Sequence, residues 1–239
     1  MPPALPDAAW VLHSMYEHEL GPTDMSYVEY RQAFLIGGST GPEIIPGLDP
    51  AEVFVDPSDV FAMSAGEHPG PRWRRLRWAE LARRTGDPVA PEGHLPGYDL
   101  FPSLRTKMTG GWPVGIASPS EGSMDRADWN RLVEILLEHS PQGEDTRCLA
   151  YYTPLVLGLE EQDFDNLRVR AGRLADAEAL YDHPDGEFTS PTNFWAQDRS
   201  WVLCTDYDLR ATKVAGPAPL VDALLKDTEI EAVRLPWAT

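Results

Sequence analysis

The sequence predicts an α+β fold, mainly antiparallel sheet with helices packed on one side, and three observations point there. Of 239 residues, 42% are hydrophobic and 10% aromatic, with eight tryptophans, which is enough apolar material for a substantial core. Glycine and proline together make up 42 residues spread along the whole chain, so elements are short and turns are many. In the second half, segments read in the order helix, strand, strand, helix, hairpin, helix, strand, a succession that suits antiparallel pairing.

From the N-terminus, residues 7–20 are expected to form a helix after Asp7, with Trp10, Leu12 and Met15 partly on one face. A second helix is expected over 26–36, where Tyr27, Tyr30 and Phe34 recur at helical spacing behind Ser26 or Asp24 as N-cap. Gly37, Gly38 and Gly41 end it. Residues 43–63 read as loop with one or two strands, and 73–85 as a strand or turn leading into a helix that stops at Gly86. The Gly/Pro-rich stretch 86–122 either links two halves or wraps one. A boundary near residue 120 divides an N-terminal α+β region, 1–120, from a C-terminal α+β domain, 121–239, as one unit or two subdomains.

The second half is more regular. Ser123 or Asp125 caps a helix over 125–138 with Trp129, Leu132, Val133, Leu136 and Leu137 as its apolar stripe. Residues 148–157 and 167–172 read as strands, and 174–182 as a helical turn or two. The runs on either side of Asp206-Tyr207-Asp208 form a hairpin over 201–216. A helix with proline in its first turn covers 217–227, and a last strand covers 230–236.

Net charge is −18 and the isoelectric point is near 4.6, which makes nucleic acid and anionic membrane unfavourable partners and a basic protein a favourable one. The charge is uneven. Residues 1–71 carry eleven acids against Arg31, whereas 72–84 carry six arginines against Glu80. Trp73 and Trp78 among those arginines have the composition of a nucleic-acid patch. Internal pairing with the acid excess is the reading the total charge favours. No apolar stretch is long enough to span a membrane, and the first twenty residues lack a basic and apolar leader, so a cytoplasmic location is expected. Cys148 and Cys204 lie in apolar runs and read as buried thiols rather than a disulfide or metal pair.

Motifs for nucleotide, phosphate, acyl-transfer and zinc chemistry are absent, which favours a non-enzymatic protein without cofactor or metal. Gly37–Gly41 is glycine-rich but no lysine follows. His13, Glu17, His18 and Glu19 crowd zinc-type side chains without a third ligand at a useful spacing, and a solvated helix face is the expected alternative. Asp206 and Asp208 present carboxylates that suit magnesium, or serve the turn. Glu160, Glu161, Asp163 and Asp165 read as a solvated loop. In 190–201, Trp195, Asp198, Arg199 and Trp201 group large and charged side chains. They are either anchors of the last hairpin or, with Asp206, Asp208 and Lys213, a contact surface for a partner.

The residues Ser190-Pro191, Asn193-Phe194-Trp195, Asp198 to Trp201, Thr205 to Leu209, Thr212-Lys213-Val214, Gly216 and Glu231 to Pro236 resemble a pattern shared by a group of actinobacterial proteins. The likeness extends through 112–123. It implies no activity and no catalytic residue. In size, acidity and make-up the chain is also similar to immunity proteins that neutralise bacterial toxins. The leading expectation is therefore an acidic protein that binds a basic toxin. The alternatives are a metal-dependent hydrolase or transferase using Asp206 and Asp208, or a regulator that binds a small ligand near Trp195 and Trp201. Oligomeric state is left open by the sequence.

Overall fold

The structure, a computed structural model, describes residues 5–26, 29, 32, 68–86, 89, 112–153, 169–182, 189–207 and 209–235. Its centre is strand β1 (Asp7–Leu12), whose six side chains are all buried. The chain then turns at His13-Ser14 into β2 (Met15–His18), which is equally buried. The expected helix over 7–20 is thus two strands. A strand covered on both faces shows a continuous apolar run instead of alternation, and such a run cannot be told from a buried helix by periodicity.

β3 (Trp73–Leu76) leads directly into helix α1 (Trp78–Thr85), which ends at Gly86 with φ 83° and its N–H bonded to the Ala82 carbonyl. The short strand β4 (Ile116–Ala117) follows. Helix α2 (Arg126–His139) begins at Asp125, whose side chain accepts the Asp128 N–H, and buries Trp129, Leu132, Val133, Ile135 and Leu136. After a 3-10 turn (Gly143–Asp145) come β5 (Arg147–Tyr151), β6 (Val169–Arg173) and a 3-10 helix (Leu174–Leu180). β7 (Asn193–Ala196), β8 (Val202–Thr205), β9 (Ala211–Gly216), α3 (Ala218–Lys226) and β10 (Glu231–Arg234) complete the order. At the start of the expected helix over 26–36, Ser26 and Glu29 exchange capping-box bonds; apart from Glu29 and Gln32, residues 27–36 lie outside the described residues, as does the whole of 43–63.

The fold is α+β, built on two antiparallel sheets. Seven strands run in the order β10-β1-β9-β8-β7-β5-β6, and three in the order β3-β2-β4. β1 lies between β9 and β10, so the large sheet draws on residues from both sides of position 120. One face of this sheet, with Val11, Phe194, Leu203 and Val214, packs against α2, α3 and the second 3-10 helix. Phe194 sits edge-on to Trp129 at 5.5 Å and tilted to Trp201 at 5.2 Å. Each such ring pair adds about 0.5–1.5 kcal/mol to simple burial.

The opposite face is not bare. Trp10, Leu12 and Ala211 form a second core with Met15, Leu76, Ile116 and, from α1, Trp78 and Leu81. The small sheet and α1 therefore cover the β1 end of that face. Toward β5 and β8 the same face carries Leu149, Trp195 and Val202, half-buried, with Cys204 and Lys213 exposed. No helix among the described residues is long and apolar enough to cross a membrane.

Candidate functional site

The residues singled out in 190–216 divide between two faces. Trp195 pairs with Leu149 and Val202 and shares their half-buried face. Trp201 immediately precedes Val202, so pleating turns it to the other side, where it is fully buried and donates its indole N–H to Ser140 Oγ at 2.8 Å. Asp198 and Arg199 are exposed in the β7–β8 turn. Asp198 accepts the Ser200 N–H at 2.9 Å, and Arg199 has φ 62°, a left-handed conformation that costs a side-chain-bearing residue about 1 kcal/mol. Asp206 is exposed and accepts the N–H of Tyr207. Lys213 is exposed across from Cys204. Asp208 lies outside the described residues, as do Gly37–Gly41 and the acids at 160–165.

Cys148 is buried and free, with burial and then Asp198 pushing its thiol up to about 12. Cys204, expected inside, is exposed and free; it falls on the open face by strand alternation. Its thiol is also raised, by desolvation and then Asp206, with Lys213 opposing. Neither thiol is held in its nucleophilic form.

His13, Glu17 and His18 diverge because they belong to a turn and a strand, not to one helix face. His13 Nδ1 lies 2.7 Å from the Ser120 carbonyl, which can only accept, so Nδ1 carries the proton and Nε2 accepts from the Thr212 hydroxyl at 3.0 Å. Thr205 in turn donates to Thr212 Oγ1 at 2.6 Å. Burial lowers the His13 imidazole to about 4, and the contact with Ser120 only partly offsets this. The ring is neutral. His18 packs edge-on against Trp73. Glu17, nearly buried, accepts from both Arg74 and Arg84, and Glu80 bridges the same two guanidinium groups.

Around His13 lies a polar cluster that sequence reasoning missed. Asp128, fully buried, accepts the Ser14 N–H at 3.1 Å and hydroxyl at 2.6 Å through Oδ2, and its Oδ1 lies 2.8 Å from Arg75. Asp125 accepts the Tyr16 hydroxyl. Burial, and then Asp125, push the Asp128 carboxyl up to about 7. The Arg75 pair opposes this but loses, because Arg75 is partly exposed and screened while Asp128 is not. Burial and Asp125 likewise hold the Tyr16 phenol well above its ordinary value. Nearby, the Ser190 N–H donates to Ser123 Oγ at 2.9 Å and the Met124 N–H donates to Ser190 Oγ at 3.0 Å. Ser120, Ser123, Ser190, Thr205 and Thr212 are thereby joined to His13 and its neighbours in one hydrogen-bonded cluster.

The arginine island points inward at carboxylates. Arg72 pairs with Glu19, Arg74 and Arg84 with Glu17 and Glu80, Arg75 with Asp128, and Arg77 with Glu231. Glu231 also accepts the backbone N–H groups of Trp78 and Ala79, both at 2.8 Å, and so caps α1 from β10. Among the described residues no three His, Cys, Asp or Glu side chains are placed to share a cation.

Compared with family models, with curated proteins and with solved structures, the chain matches none.

Proposed function

We propose that the chain is a non-enzymatic acidic binding protein of the immunity-protein kind, which acts in the cytoplasm by docking a basic protein partner. The observation that carries this reading is how the charge is arranged. Of the arginines at 72–84, all but Arg83 are engaged by Glu17, Glu19, Glu80, Asp128 and Glu231, while Glu138, Glu144, Glu178, Asp198, Asp206 and Glu229 are exposed and take no ion pair among the described residues. Among the described residues these six acids face solvent, where they favour encounter with a basic surface and disfavour nucleic acid.

Trp195 is the proposed anchor, half-buried beside Leu149 and Val202, since a rigid aromatic on an exposed face supplies contact area at low entropic cost. Two free thiols fit a reducing compartment. Kinship with the actinobacterial group and the immunity proteins is part of the same proposal.

The test is capture with the full chain as bait in a lysate of its host, at about 20 mM and about 500 mM salt. A basic protein retained at low salt and released at high salt is expected, with capture weakened in Trp195→Ala. Recovery of no protein at low salt overturns the reading.

A further inference from the structure

The buried carboxyls at the start of α2 carry an inference independent of the partner. Asp125 is 5% exposed and Asp128 0%, one turn apart on the same helix. Their oxygens accept the Ser14 N–H and hydroxyl from the β1–β2 turn, the Tyr16 hydroxyl from β2 and the Asp128 N–H from α2 itself, while Arg75 from β3 meets Asp128 Oδ1 as an ion pair. The charged and titratable neighbours are Arg75, Tyr16 and the neutral His13, with Arg210 beyond His13, and His68 edge-on to the Tyr16 ring at 4.7 Å. Two buried carboxylates thus face a single, partly exposed guanidinium. Left ionised, the pair holds an uncompensated negative charge out of water, which is costly unless a proton joins it.

The geometry accepts that proton without losing a contact. If Asp128 Oδ2 is protonated, it donates to Ser14 Oγ, 2.6 Å away, by rotation of one hydroxyl. Oδ2 still accepts the Ser14 N–H, and Oδ1 still faces Arg75. All of these donors lie on the small sheet or on the turn that joins it to β1. The neighbouring His13 carbonyl accepts the Trp78 indole N–H at 2.8 Å, so the same turn also seats α1.

We propose that the Asp128 carboxyl, buried beside Asp125, is a proton-binding latch, which fastens the three-stranded sheet to α2 when it holds a proton and loosens that seat when it does not. Local opening of the Ser14 turn exposes Asp128 to water and restores its ordinary carboxyl behaviour. Opening therefore becomes easier as pH rises between the ordinary value of 3.8 and about 7. The Asp125 charge is one cause of the raised Asp128 carboxyl, so its removal brings the Asp128 midpoint down.

The test is hydrogen exchange of the Ser14 amide and the Trp78 indole in the whole chain, together with carbon NMR of the aspartate carboxyls. Corrected for intrinsic exchange, protection of both groups in His13→Gln, which lacks the opposing imidazole of the same turn, should fall about tenfold per pH unit between about pH 5 and 7, with a carboxyl midpoint near 7 for Asp128. Adding Asp128→Asn should flatten that profile. Asp125→Asn, which keeps a good N-cap, should bring the Asp128 midpoint well below 7. His68→Gln should leave the slope intact. An Asp128 midpoint near its ordinary value, protection independent of pH in His13→Gln, or an unchanged Asp128 midpoint in Asp125→Asn overturns the proposal. If Asp128→Asn does not fold, the wild-type titration and Asp125→Asn decide it.

Discussion

Replacing Trp201 and Trp195 by alanine, one at a time, separates two side chains that lie six positions apart and look alike in the sequence. Trp201 is fully buried against Phe194 at 5.2 Å and donates to Ser140 Oγ. Its loss leaves a cavity in the helix-side core and strands a buried hydroxyl. Large-to-small changes of this kind cost about 3–5 kcal/mol, and an orphaned polar group adds about 1 kcal/mol. Trp195 is half-buried on the other face, so its truncation should cost about 1 kcal/mol, within the range of a surface change. With a urea slope of about 2–3 kcal/mol/M, Trp201→Ala should lower the unfolding midpoint by roughly 1.3–3 M and Trp195→Ala by no more than about 0.5 M. The assay is urea unfolding followed by far-ultraviolet circular dichroism, which does not depend on the tryptophan removed. Equal losses for the two variants, or a Trp201→Ala loss below about 1 kcal/mol, would refute the assignment of the two faces.

A β-carbon at Gly115 would lie 2.4 Å from the Gly21 carbonyl oxygen, and φ there is 95°, so Gly115→Ala should cost about 3 kcal/mol in urea unfolding. By contrast, Gly86→Ala, also left-handed but with nothing within 4 Å, should cost only about 1 kcal/mol. Glu231→Ala uncaps α1 and should lower stability by about 1–2 kcal/mol, and Glu231→Gln, which keeps one acceptor, should recover part of it. His13 and Asp128 give opposite responses to pH. The lowered imidazole supplies stability that is complete above 6.5 and is lost as pH falls toward about 4. The raised carboxyl supplies stability that is complete below 3.8 and is lost as pH rises through about 7. Between pH 7 and pH 5 the unfolding midpoint should therefore be nearly level in the wild type, should rise on acidification in His13→Gln, and should fall in Asp128→Asn. Three parallel profiles would contradict both assignments.

Helix α1 and much of the second half were legible because each element carries its own local signal. Asp125 caps α2, Gly86 closes α1, proline stands in the first turn of α3, and the 201–216 hairpin keeps its two runs. β1 and β2 were not legible, since burial on both faces removes the alternation that marks a strand. The same error placed His13, Glu17 and His18 on one helical face, whereas the strand sends them to three different sets of partners. β7 was hidden inside a segment read only for its aromatic density. The Asp125–Asp128 cluster escaped for a different reason: its contacts join residues 109 and 114 positions apart, and His13 meets Thr212 across 199. No local pattern encodes such a meeting. The one available signal was two carboxyls within the first turn of a helix whose apolar stripe begins at once, which makes one of them face inward. The arginine island fared better, because the excess of acids around it already favoured internal pairing over an exposed patch.

Steering of a basic partner by surface acids is measured most directly by the association rate of the captured partner. Stopped-flow mixing at about 10 mM and about 150 mM ionic strength should show the rate constant falling by at least tenfold, while the dissociation rate changes far less. An association rate that is the same at both ionic strengths would contradict it.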